Sequence, residues 1–267
     1  MRPRTALLAV FLILLSWSVL LAQKEFREYP GEDRIPLPPD WRVPHEWVSA
    51  RMMWHSYGSG GRFSRGMSEW AIDYPGGDRN LIEGVRRLTR IDVRSVEQPV
   101  ELDGSGDVFN WPFLYAVEVG RWSISEAEGK ELREYLDRGG FLMVDDFHGT
   151  QEWEIFVEGI RMVFPDEDIE DLPATDPIFH MLSDVDLKVQ VPGIAALMRG
   201  RTYERDSDPL PRWRGIRDKK GRIVVAICHN MDLGDAWEHS DDPGYPEEYA
   251  TAAHRVLQNY ATYDLTH

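Results

Sequence analysis

The sequence predicts an α/β fold: a mainly parallel sheet with helices on both faces and a late β-hairpin. Three observations predict it. Short apolar runs alternate with stretches of helical apolar period across residues 47–267, the alternation that builds parallel sheets covered on both sides. The run FLMV at 141–144 is continuously apolar, as a strand buried on both faces must be. Near the end, WRGIRD and RIVVAI flank KKG, which reads as a hairpin at an edge of the sheet or extending it.

Residues 1–22 come first. Arg2 and Arg4 precede an apolar run from Ala6 to Ala22 broken only by Ser16 and Ser18, the charged and apolar regions of a secretory signal. Cleavage after Ala22 and retention as an N-terminal anchor are both compatible with that run, whose length approaches that of a spanning helix. Either way the chain is expected to be exported, to a periplasmic or extracellular location. Residues 23–46 carry prolines at 30, 36, 38, 39 and 44 and no apolar period, so they read as an extended linker. Residues 47–267 then form one α/β domain.

Within that domain WVSARMMWHS is the first strand, followed by the turn YGSGG. Asp78 is expected to cap a helix over RNLIEGVRRLT, in which Leu81, Val85 and Leu88 share a face. IDVRSV and FLYAVEV are the next strands. Ser125 and Glu128 form a capping box for a helix through Leu132 and Leu136, ended by Gly139 and Gly140. FLMV follows, then a helix marked by Trp153, Phe156, Val157 and Ile160. After the hairpin, Pro246 opens a last helix carrying Tyr249, Ala253, Val256, Leu257 and Tyr260.

Composition narrows the partners. The formal charge is −16, and cleavage, which removes two arginines and no acid, takes it to −18. That acidity excludes nucleic acid and anionic membrane surfaces as partners; a membrane contact is expected only through an uncleaved N-terminal segment. Cys228 is the one cysteine, so no intramolecular disulfide forms, and its place in RIVVAICHN suits a small core residue.

Ligands of open α/β sheets bind outside the carboxyl ends of the strands, and several strand ends here carry ionisable groups. FLMV runs into Asp145, Asp146 and His148. RIVVAI runs into His229, Asn230, Asp232 and Asp235; the first strand ends near His55 and Tyr57, and FLYAVEV in Glu118. Such a rim suits a ligand, or a divalent metal held by Asp145, Asp146, His229 and Asp232, or an acid–base pair. The alternative is that these aspartates cap neighbouring backbone amides. Asp73, Gly76, Gly77 and Asp78 in WAIDYPGGDRN read as a turn and helix cap. His180 in DPIFH reads as structural, and DEDIED at 166–171 as a solvated loop. HExxH, zinc-type cysteine spacing, an EF-hand loop and G-x-S-x-G are all missing.

Taken together, YGSGG, DYPGGDRN, WPFLYAVEVG, LREYLDRGGFLMVDDFHG, MVFP, DPIFH and NMDLGDAWE resemble a bacterial family labelled domain-of-unknown-function family 4159, over roughly residues 47–263. The resemblance implies a flavodoxin-like architecture shared with class I glutamine amidotransferases. Those enzymes use a cysteine on a G-x-C-x-G elbow, whereas Cys228 lies in AICHN, so glutamine hydrolysis is not expected. Members joined to membrane-anchored segments are compatible with the leader and linker. Two functions follow as expectations. One is an exported ligand- or metal-binding domain, hydrolytic in its sharper form, using the acidic rim. The other is a non-catalytic envelope module whose tryptophans anchor a protein or glycan partner.

Overall fold

The computed structural model describes residues 24–29, 34–56 and 68–267. The leader, the YGSGG turn and Tyr57 lie outside the described residues. Seven strands form one sheet: β1 (Ser49–Met53), β3 (Gln98–Glu101), β4 (Phe113–Val117), β6 (Phe141–Asp145), β7 (Glu170–Asp171), β8 (Arg212–Arg217) and β9 (Ile223–His229). Their spatial order is β3-β1-β4-β6-β9-β8-β7. The first five are parallel, and β8 and β7 continue antiparallel. Counting only the parallel strands in chain order, the arrangement is 2-1-3-4-5, that of doubly wound flavodoxin-like sheets. A separate two-stranded ribbon pairs β2 (His55–Ser56) with β5 (Trp122–Ser123).

The helices divide between the two faces. Leu81 and Val85 of α1 (Gly76–Leu88), Trp237 of α5 (Leu233–Glu238) and Val256, Leu257 and Tyr260 of α6 (Glu247–Thr266) cover one face, against Phe113, Tyr115, Phe141 and Met143. Leu132 and Leu136 of α2 (Glu126–Asp137) and Phe156 and Ile160 of α3 (Gly149–Arg161) cover the other, against Leu114, Ala116, Leu142 and Val144. The side chains of FLMV thus alternate between two cores, which is why no polar residue interrupts them. A one-turn α4 (Ile194–Met198) lies in the long excursion before β8.

Local signals act as their chemistry dictates. Ser125 Oγ accepts from Glu128 N while the Glu128 side chain accepts from Ser125 N, the reciprocal capping box. Gly139 ends α2 at φ 111°, a left-handed conformation that a side chain resists. Asp218 fastens the β8–β9 turn by accepting from the Lys220 and Arg222 amides.

Three local readings change. IDVRSV contributes only a Trp47–Val93 bridge; Arg94 folds inward, donating to Val96 O at 2.8 Å and Gln98 Oε1 at 3.1 Å, and the strand begins beyond it. Asp78 does not cap α1, whose N-cap is Pro75; it lies in the first turn, fully buried against Arg51. Glu170 and Asp171 of DEDIED are strand β7, held on β8 by Arg217 and Arg214. Among the described residues no helix is long and apolar enough to cross a membrane.

Candidate functional site

Four loops leave the carboxyl ends of β1, β4, β6 and β9, and each carries a non-glycine residue at positive φ: Asp73 (57°), Glu118 (53°), Asp146 (55°) and Asn230 (64°). Left-handed backbone is tolerated best by Asp and Asn, and its concentration on one rim marks the place where the fold accepts local strain. The loops are stitched together beyond the sheet. Glu118 N donates to Asp146 O, Asp146 N to Met231 O and Asn230 N to Phe147 O, all at 3.0–3.1 Å.

This stitching brings three buried aspartates together. One carboxylate oxygen each from Asp73, Asp146 and Asp232 lies within 4.8 Å of the others. Asp232 uses Oδ1 to cap α5, accepting from Asp235 N at 2.8 Å. Asp146 Oδ1 lies 3.1 Å from His148 Nε2. Asp73 Oδ2 is buried with no hydrogen-bond partner, an uncompensated state for a polar atom away from water.

Burial is the largest influence on each of the three carboxyls, and like charge adds to it. Asp73 is pushed well above the usual carboxylate range by burial, then by Asp235, Asp146 and Glu238, with Arg51 opposing. For Asp146 the added charges are Glu204, Asp235 and Glu152, with Arg121 opposing. For Asp232 they are Asp146, Asp235, Asp73 and Asp145. Glu118 is raised by burial and Asp146 against Arg121. Carboxylates gathered this closely in low dielectric must share either protons or a cation.

The backbone makes room for them. A methyl group at Gly234 would overlap Asp73 Oδ2, and one at Gly193 would stand 2.5 Å from Asp232 Oδ2, 2.8 Å from Glu204 Oε1 and 3.1 Å from Asp235 Oδ2. Gly234→Ala is therefore expected to cost about 1–3 kcal/mol, the usual range for overpacking, measured by urea denaturation. An unchanged midpoint would show that Asp73 moves aside freely.

The remaining sequence candidates have other placements. Asp145 is fully buried; its Oδ2 accepts from Leu233 N at 2.7 Å, Gly234 N at 3.2 Å and the Tyr115 hydroxyl at 3.3 Å, and its Oδ1 has no partner. Burial and Asp146 raise it to about 8, against the two amides. His229 lies 3.0 Å from Gly149 O through Nε2, packs at a tilt against Phe147 and Trp153, and is held down at about 4 by burial. It steadies the start of α3 in neutral form. Asn230 accepts from Gly149 N and donates to the Asp208 and Leu210 carbonyls, tying three segments beneath the rim. Asp235 Oδ2 accepts from Ile194 N at 2.6 Å. His55 is exposed on β2, 3.3 Å from Glu128, and takes no part in the three-aspartate group. His180 pairs with Asp184 and the Ala174 carbonyl, and Cys228 is a buried free thiol. Trp47, Trp54, Trp70, Trp111, Trp122, Trp213 and Trp237 are buried in the cores and leave few aromatic anchors for a partner.

Two participants escape the sequence reading. Asp73 lies in a turn whose glycines and second aspartate suggest a cap; its signal is that this turn follows β1 and so belongs to the same rim. Glu204 comes from the excursion between β7 and β8, which has no period that would place it. Arg205 beside it donates to Glu152 at 2.9 Å.

The family described as domain of unknown function (DUF4159) matches residues 61–265. The chain belongs to this family. The DUF4159 match takes in Asp73, Asp146, Asp232 and the stitched loops around them, whereas His55 lies before it. It starts later than residue 47, so β1 falls outside the matched span. No curated protein matches the chain.

Proposed function

We propose that this DUF4159 protein is an exported domain that binds a divalent cation at its strand-end rim, through Asp73, Asp146 and Asp232. The observation that carries the reading is the approach of three buried carboxylate oxygens to within 4.8 Å of one another. A cation removes the like-charge conflict that raises all three carboxyls, and it satisfies Asp73 Oδ2. An all-oxygen set suits hard ions such as Mg²⁺, Ca²⁺ or Mn²⁺. Export rests on the apolar segment behind Arg2 and Arg4.

A bound cation would polarise a ligand oxygen or a water molecule, the basis of metal-assisted hydrolysis. The chain's own residues set the frame for it. The Asp146–His148 contact orients the carboxylate, as outer partners of metal ligands do, and the Asp232 cap holds the third ligand against α5. Asp145, buried against the Leu233 and Gly234 amides, fixes the loop that presents Asp232.

Thermal unfolding after EDTA treatment, followed by titration with Mg²⁺, Ca²⁺ and Mn²⁺, tests the reading. At about 100 times Kd a cation specific for the folded state adds about 2.7 kcal/mol, and Asp146→Asn is expected to abolish the increment. No shift with any of the three ions would overturn it.

A further inference from the structure

We propose that Glu204 is a fourth ligand of the cation, and that the bound ion fastens the excursion between β7 and β8 to the rim. The inference rests on the cation reading above and adds a ligand from a segment that belongs to no strand end.

The close approach at Gly193 brings Glu204 in. Gly193 has φ −64° and ψ 151°, a backbone that any residue adopts, so the glycine answers to space. A methyl there would stand 2.5 Å from Asp232 Oδ2 and 2.8 Å from Glu204 Oε1, so the two oxygens converge on one small gap. Asp232 spends its other oxygen on the Asp235 amide, and Oδ2 is the one that faces the gap. Oxygen ligands stand about 2.0–2.6 Å from Mg²⁺ or Ca²⁺, and carboxylates this close can share one ion. The need for a positive partner is independent of Glu204: Asp73 Oδ2, in the same group as Asp232, is buried with no hydrogen bond.

Glu204 is also uncommitted. Its side chain is 22% exposed and accepts no hydrogen bond among the described residues; Arg205, at 3.9 Å, is too far to donate one. Arg205 instead donates to Glu152 Oε1 at 2.9 Å, and Glu152 Oε2 accepts from His148 N at 2.6 Å. The residue beside Glu204 is thus tied to the loop that carries Asp146. The near end of the excursion is tied to the other loop, where Val191 O accepts from Asp232 N at 3.0 Å. Without an ion, a fourth carboxylate adds to the like charge at the rim. With one, it crosslinks the excursion to the loops after β6 and β9.

The test is Mn²⁺ affinity by titration calorimetry, together with hydrogen exchange of the amides of residues 194–205 at saturating Mn²⁺. It compares the EDTA-treated protein with Glu204→Gln and Asp146→Asn, with circular dichroism to establish that each variant is folded. Mn²⁺ is expected to slow exchange across 194–205 in the unaltered protein. Glu204→Gln is expected to lose that protection and to weaken binding by at least the roughly 10-fold that loss of an outer partner of a metal ligand costs. Binding as tight in Glu204→Gln as in the unaltered protein overturns the fourth ligand and leaves the three-aspartate site. Weaker binding with the protection retained shows a charge acting from a distance, and overturns ligation too. Binding that survives Asp146→Asn and is lost in Glu204→Gln supports Glu204 and overturns the reading above. No binding overturns both.

Discussion

Arg51→Leu is expected to destabilise the protein by about 3–5 kcal/mol, the cost of leaving a buried charge without its partner. Arg51 is fully buried in β1 and donates to Asp78 through Nε at 3.1 Å and through a terminal nitrogen at 2.6 Å. The same terminal nitrogen donates to Ile72 O at 3.2 Å, and the guanidinium lies 4.8 Å from the Tyr115 ring centroid. Burial already raises the Asp78 carboxyl against the pull of Arg51; without Arg51 it must take up a proton or stay buried and charged. The pair also ties β1 to the first turn of α1 and, through Ile72, to the loop that presents Asp73. Urea denaturation measures the cost. The double variant Arg51→Leu/Asp78→Leu is expected to recover most of it, because replacing both members of a buried pair is far milder than removing one. A single-variant loss below about 1 kcal/mol would show that water reaches Asp78.

How much of this was legible beforehand depended on whether a residue's role was local. The Ser125–Glu128 capping box, the continuous apolar run FLMV and the late hairpin are fixed by neighbours a few residues away, and the sequence displays those neighbours. Asp145, Asp146 and Asp232 were found at strand ends because the parallel fold assigns ligands to that edge. The partition among them was not visible: Asp145 turns to the amides of Leu233 and Gly234, some 88 residues along the chain, while Asp146, freed by its left-handed backbone, turns toward Asp232. Asp73 and Asp78 both leave the capping role their spacing suggests, the N-cap of α1 being Pro75. Asp78 sits where a cap is expected but meets Arg51, and Asp73, in what reads as a turn, supplies the partnerless oxygen. Each outcome is decided by a residue on another element, which no local pattern encodes. Glu204 is the extreme case, carried to the rim by a segment without periodicity.

In EDTA, unfolding stability is expected to fall as the pH rises from 6.5 to 8. Asp145 keeps its proton in the folded protein up to about 8, while its ordinary value is 3.8. Between those values the folded state binds more protons than the unfolded chain, so deprotonation favours unfolding. From Asp145 alone the loss over this window is about 1.5 kcal/mol, given about 1.4 kcal/mol per pH unit for one fully linked proton. Asp73, Asp146 and Asp232 are displaced in the same direction and steepen the decline. His229 works oppositely, but lower. Its folded value is about 4 against an ordinary 6.5, so its contribution is complete above 6.5 and is lost only as the pH falls toward 4. The window from 6.5 to 8 therefore reports buried carboxyls, among them Asp264 outside the rim, which burial raises to about 7; the rim's share is the part that Asp146→Asn removes. A cation competes with the protons these carboxyls share, so the Mn²⁺-induced rise in melting temperature is expected to be larger at pH 8 than at 6.5. Asp146→Asn, which removes one titrating member, is expected to make the EDTA curve shallower and erase the Mn²⁺ effect together. Stability that is level or rises across this window would mean that the rim carboxylates are hydrated and separately ionised, and the cluster would then have no conflict for a cation to resolve.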